Sequence, residues 1–102
     1  MTAKIDIQPQ VACTLFTICK DVLRGCRPIV LRYQDAPTTE DEQADSRDCI
    51  KSCCKSYGLS FPGISKDFSR ITGRKNIDNV DYRVEIEIKG NKNTFFRIGT
   101  ID

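Results

Sequence analysis

Six cysteines, Cys13, Cys19, Cys26, Cys49, Cys53 and Cys54, are the residues whose chemistry first asks for an explanation, and the chain has no histidine to accompany them. Without histidine there is no Ser-His-Asp or Cys-His nucleophilic pairing, no imidazole metal ligand and no imidazole general base. A metal site would need four thiolates, yet the Cys49/Cys53 and Cys13/Cys19 spacings match no zinc ribbon or knuckle. Structural disulfides belong to oxidising compartments. The favoured reading is that Cys19, Cys53 and Cys54 act as small buried hydrophobes on helix faces. The alternative is a reactive thiol at Cys13 or Cys26; Cys26 lies near Arg24 and Arg27, and nearby cations favour a thiolate.

Carboxylates could supply an acid–base pair only where burial separates their pKa values. Those present crowd a polar helix start or alternate with Arg and Lys, so that work is not expected of them. Neither G-x-x-x-x-G-K-[ST] nor G-x-G-x-x-G occurs. The expectation is a protein that is not an enzyme and uses no cofactor or metal.

Charge points instead to surfaces. The net charge is +2, but residues 1–50 hold six Lys/Arg against eight Asp/Glu and residues 51–102 hold ten against six. The acidic excess lies between Asp35 and Asp48, where Asp35, Glu40, Asp41, Glu42, Asp45 and Asp48 face only Arg47; it reads either as an acid-rich helix start, which the dipole favours, or as an acidic docking surface at Glu40, Asp41 and Glu42. Lys66, Arg70, Arg74 and Lys75 form a basic loop that could hold phosphates. Arg83, Phe95 and Arg97, on the polar side of a C-terminal hairpin, put an aromatic ring among charges, as docking surfaces do.

Periodicity sets the elements that must position these groups. Ile5 and Ile7 alternate with polar residues in a short strand from Ala3 to Ile7. Val11, Leu15, Ile18 and Val22 mark one face of a helix from Pro9 to Arg24, with Gly25 just past its end. Pro28 to Tyr33 is β-branched and apolar and reads as a central strand. Thr39 and Glu42 make a capping box for a second helix, which packs through Ile50, Cys53, Cys54 and Tyr57 and stops at Gly58. Ser60 to Gly63 reads as a turn, Ser65 to Ile71 as a short helical turn stopped by Gly73, and the residues up to Asn79 as a polar loop. Val80, Tyr82, Val84, Ile86 and Ile88 then alternate strictly with polar residues. A three-residue turn at Gly90-Asn91-Lys92 places Ile86 opposite Phe96, Val84 opposite Ile98 and Glu85 opposite Arg97; a two-residue turn would face Ile86 with Arg97.

The expected architecture is one α+β domain over residues 1–102, a two-layer βαβαββ arrangement. Two helices would pack on one face of a four-stranded mixed sheet ending in an antiparallel hairpin. In this order of elements the chain resembles two small-domain families. Leu31 to Leu59 followed by Tyr82 to Gly90, a strand, an acidic Pro-Thr-Thr turn, a helix and a late strand, is similar to the TusA-like sulfur carriers, which would imply sulfur handling. Their Cys-Pro-x-Pro motif is absent, since Cys13 is followed by Thr14 and Leu15. The element order also resembles the Alba-like nucleic-acid binders, whose strongly basic character this chain lacks.

No apolar run reaches the roughly 18–20 residues of a membrane span, and the N-terminus has no apolar signal region. A cytoplasmic protein without a membrane partner is expected. Its leading function is a non-catalytic protein-binding module of accessory, inhibitor or immunity type, acting through the hairpin face or the acidic helix start. A homodimer through the C-terminal edge strand, nucleic-acid binding by the basic loop and thiol or sulfur chemistry are the alternatives.

Overall fold

A computed structural model describes residues 7–35, 38–89 and 93–101. It contains helices α1 (Pro9–Asp35) and α2 (Glu40–Ser56), followed by strands β1 (Ser60–Ile64), β2 (Arg70–Ile77), β3 (Val80–Lys89) and β4 (Asn93–Thr100). The α+β class stands, but the element order is ααββββ and the sheet is an antiparallel meander in the order β1-β2-β3-β4 rather than mixed. The resemblance to the two small-domain families, which rested on a strand before the second helix, goes with it. The expected first strand lies outside the described residues except for Ile7, which precedes α1 without joining the sheet.

The largest correction falls on residues 25–33, which continue α1 instead of capping it and starting a strand. Leu15, Cys19, Val22, Cys26 and Val30 are all fully buried, so the apolar stripe passes Gly25 and Pro28 without a break in its helical spacing. Pro28 is exposed, on the solvent side of the helix, where a backbone carbonyl that lacks a donor can be hydrated. Gly25 serves close packing: a Cβ there would stand 2.8 Å from Cys53 Sγ, so α2 passes directly against the α1 backbone. At 1.5 Å per residue α1 is roughly 40 Å long, and it sets the long axis of a 46 × 24 × 23 Å molecule.

Helix α2 begins and ends as its residues require. The Glu42 amide donates to Thr39 Oγ1 at 3.1 Å, satisfying one of the first-turn donors. At the other end Gly58 takes φ +89°, a conformation most accessible to glycine, and the Leu59 amide closes back on the Cys54 carbonyl at 2.9 Å.

Both helices cover the face of the sheet that carries Ile71, Tyr82, Val84, Ile86 and Ile88, with Phe96 and Ile98 packed alongside. The hairpin register is the expected one, with Ile86↔Phe96, Val84↔Ile98 and Glu85↔Arg97; the turn residues 90–92 lie outside the described set. Residues 60–64, expected as a turn, form the edge strand β1, and residues 70–77, expected as helical turn and loop, form β2. Asp78 and Asn79, at φ 52° and 66°, make the two-residue β2–β3 turn that positive φ at both centres requires. Ser65 does not cap a helix. Its hydroxyl accepts the Arg70 amide at 3.0 Å and donates to Asp67 Oδ1 at 2.8 Å, tightening the β1–β2 connection. Donors from Ser69 and Ser65 hold the Asp67 carboxyl down to about 2.

Candidate functional site

The strand alternation that buries one face of the sheet aims the other at solvent, and neither helix covers it. From β2 this outer face receives Arg70, Thr72 and Arg74; from β3, Arg83, Glu85 and Glu87; from β4, Phe95, Arg97 and Gly99. Two expected surfaces thereby become one, because Arg70 and Arg74 of the basic loop share a face with Arg83, Phe95 and Arg97 of the hairpin. The other half of the basic loop does not join them. Lys75 projects on the helix-covered side, its Nζ 3.0 Å from where a Cβ on Gly58 would stand, and Lys66 lies in the β1–β2 turn. The Lys66 carbonyl accepts from Arg47 at 3.2 Å and from Tyr33 at 3.4 Å.

Phe61 and Thr72 complete the face, and neither was among the expected site residues. Phe61 is 78 % exposed at φ 51° beside an irregularity in the β1–β2 register, and the Arg74 guanidinium sits 5.7 Å from its ring centroid. Holding a bulky side chain in the left-handed region costs on the order of 1–3 kcal/mol. Phe61, Thr72, Gly73, Arg74 and Arg83 line a shallow cleft of about 280 Å³.

The charges on this face do not balance locally. Arg70 Nε pairs with Glu85 at 2.9 Å, and Lys89 Nζ pairs with Glu87 at 3.0 Å. The hydrogen bond from Lys89 lowers the Glu87 carboxyl below its ordinary range, with the neighbouring cations adding to it. Arg74, Arg83 and Arg97 have no salt-bridge partner among the described residues. Arg74 and Arg83 are direct cross-strand neighbours, a like-charge placement that weakens a strand pair.

The chain matches no protein-family model, and no curated protein or solved structure matches it significantly. Its residues must therefore speak for its function.

The acidic helix start is separate from this face, in the helical layer. Glu40, Asp41 and Glu42 are exposed in the first turn of α2. Glu42 is already engaged, at 3.2 Å from Thr39 Oγ1 and 3.6 Å from Arg32, which accounts for it without a partner.

The cysteines divide by burial. Cys13 and Cys49 are exposed, Cys53 is half-buried, and Cys19, Cys26 and Cys54 are buried where α1 meets α2 and the sheet; all six carry free thiols. Among the described residues no cluster of three or more Cys, Asp or Glu is arranged to hold a metal. Burial, reinforced by neighbouring thiols, pushes Cys19 and Cys54 up to about 11. Burial likewise pushes Cys26 up, with Cys53, Cys54 and Cys49 adding to the shift. The expected activation of Cys26 by its arginine neighbours is thus reversed, because desolvation of the thiolate outweighs them. For Cys19 and Cys54 a rise from 9.0 to about 11 leaves about a hundredfold less thiolate at neutral pH. Iodoacetamide followed by peptide mapping is expected to label Cys13 and Cys49 in the folded protein and Cys19, Cys26 and Cys54 only after unfolding. Rapid labelling of Cys26 in the native state would contradict that burial.

No helix among the described residues is long and apolar enough to cross a membrane.

Proposed function

We propose that this protein is a non-catalytic protein-binding module whose recognition surface is the outer face of its sheet and whose partner presents an acidic surface. The observation that carries the reading is the uncovered face holding Arg74, Arg83 and Arg97 without ion-pair partners among the described residues, between Phe61 at 78 % and Phe95 at 58 % exposure. Aromatic anchors set among arginines are the composition of protein interfaces. Such a face gains contact area from the rings and orientation from the guanidiniums. The β4 edge, with no further strand beside it among the described residues, adjoins this face and extends the contact available to a partner or a second copy.

A second reading, single-stranded nucleic acid, is favoured by the Arg74–Phe61 pair, since bases stack on exposed rings beside cations. Backbone amide shifts measured during titration with an acidic Glu/Asp decapeptide and, separately, with a ten-residue oligothymidylate discriminate the two. The decapeptide is expected to move the amides of Thr72, Arg74, Arg83 and Arg97, with an affinity that weakens as salt rises. Charge reversal in Arg83→Glu/Arg97→Glu should abolish the effect. Tighter binding of the oligonucleotide would transfer the face to the second reading, and the absence of shifts on the sheet face with either ligand would overturn the proposal.

A further inference from the structure

Arg74 and Arg83 are the two arginines that the fold itself has least use for. Their side chains project away from the core, they face each other across the β2–β3 pair, and no carboxylate among the described residues is within ion-pair distance of either; Asp81, next to Arg83 on the same face, accepts from Asn76 at 2.8 Å. On the same face Arg70 is paired with Glu85 at 2.9 Å, and Arg97 stands across from Glu85 and within the field of Glu87, so compensation is available to this sheet away from the Arg74–Arg83 pair. On the other flank of Arg83 stands Gly99, where a Cβ would meet nothing within 4 Å, so the face beside Arg83 is open on that side. Thr72 lies in the same cleft and its hydroxyl has no hydrogen-bond partner among the described residues. Phe61 forms the wall, exposed and beside Arg74.

We propose that the cleft bounded by Phe61, Thr72, Arg74 and Arg83 binds a phosphate monoester on the protein partner, a phosphorylated side chain and in first place phosphotyrosine. This inference rests on the sheet-face reading and specifies its ligand. Two guanidiniums present two forks of parallel N–H donors and two positive charges. A carboxylate matches one fork and one charge; a phosphate monoester near neutral pH carries a charge of about −1.5 to −2 and three acceptor oxygens. It can engage both arginines and leave an oxygen for the Thr72 hydroxyl. A phosphodiester, with one charge and two free oxygens, satisfies the pair less fully. The exposed Phe61 ring gives an aryl ester a flat apolar surface that phosphoserine cannot use.

Calorimetric titration with four ten-residue peptides, identical but for a central phosphotyrosine, phosphoserine, glutamate or unmodified tyrosine, tests this against a ten-residue oligothymidylate. The phosphotyrosine peptide is expected to bind at least about tenfold tighter than the glutamate peptide, as a second fork engaged by charged hydrogen bonds implies. Phosphoserine should fall between them. The advantage should shrink below about pH 6, where the dianion takes up a proton. Arg74→Gln or Arg83→Gln should remove the advantage while leaving the melting temperature of the free protein unchanged or raised, since each relieves a like-charge contact. Arg97→Gln should weaken all peptides alike. Equal affinity for the phosphotyrosine and glutamate peptides, an advantage that survives both arginine substitutions, or tighter binding of the oligonucleotide would overturn the proposal. If the glutamate peptide binds the outer face and phosphate adds nothing, the sheet-face reading survives and this inference falls; if no peptide binds, both fall.

Discussion

Phe68→Ala is expected to be among the most destabilising substitutions in the protein, costing about 3–5 kcal/mol and lowering the melting temperature by more than about 10 °C. Phe68 is fully buried, stacks on Tyr33 with ring centroids 4.3 Å apart, and lies 4.5 Å beneath the Arg47 guanidinium. Arg47 also donates to the Ile64 carbonyl at 3.2 Å, so the ring anchors α1, α2 and the β1–β2 connection to one another. Truncation would leave a cavity at the junction of three elements and remove the surface on which the guanidinium rests. A domain of this size has only about 5–15 kcal/mol of stability to lose. Phe68 has φ 62°, which glycine adopts freely and alanine, like phenylalanine, only at a cost. Phe68→Gly is therefore expected to be less damaging than Phe68→Ala, the reverse of the usual order, by about 1 kcal/mol. Urea denaturation of the three proteins checks both statements; a larger loss for glycine would mean that the backbone at 68 carries no strain.

What the sequence concealed about Phe68 it concealed for a physical reason. Ser65, Phe68 and Ile71 recur at helical spacing, which suits a short helical turn. Asp67 instead gathers Ser65 Oγ, the Ser69 amide and Ser69 Oγ at 2.7–3.1 Å, and this local hydrogen bonding makes a tight non-helical turn. Strand β2 was hidden by its own exceptions. Gly73 and Lys75 occupy core-side positions between Ile71 and Ile77, so the alternation that makes β3 obvious is broken in its partner. Gly73 is there because Leu59 fills the space, with its Cβ 3.0 Å from where a glycine Cβ would be. Strict alternation across β3 and β4, by contrast, fixes their register through the cost of facing Ile86 with Arg97, and no tertiary information was needed.

The candidate site was legible in pieces and not as a whole. Arg83, Phe95 and Arg97 follow from the hairpin pattern, because residues of one parity share a face. That Arg74 stands beside Arg83 depends on β2 being a strand in one register, and a chain segment read as a loop has no faces. Phe61 was unreachable for a similar reason: Pro62 and Gly63 beside it are turn residues by composition, yet an edge strand accommodates them where a central strand would not.

Pro28→Ala is expected to stabilise the protein. Gly25 and Pro28 invite a stop after Arg24, but the buried stripe of Cys26 and Val30 continues at the spacing set by Leu15, Cys19 and Val22, and burial outweighs local propensity. The proline still has its cost. It cannot donate to the Arg24 carbonyl, and an interior proline is about 3 kcal/mol less favourable than alanine in a helix. Part of that difference is offset because proline also restricts the unfolded chain, by about 0.4–1 kcal/mol. A net gain of about 2–2.5 kcal/mol remains, visible as a higher melting temperature and increased helical ellipticity. Pro28 is exposed, so the smaller side chain opens no cavity. If the substitution instead destabilises, the proline must shape the last two turns so that Val30 stays buried and Tyr33 reaches Phe68. In that case Tyr33→Leu, which removes the stack, should cost little more in the Pro28→Ala background than nothing at all, whereas in the native background it should cost the full aromatic contact, about 0.5–1.5 kcal/mol.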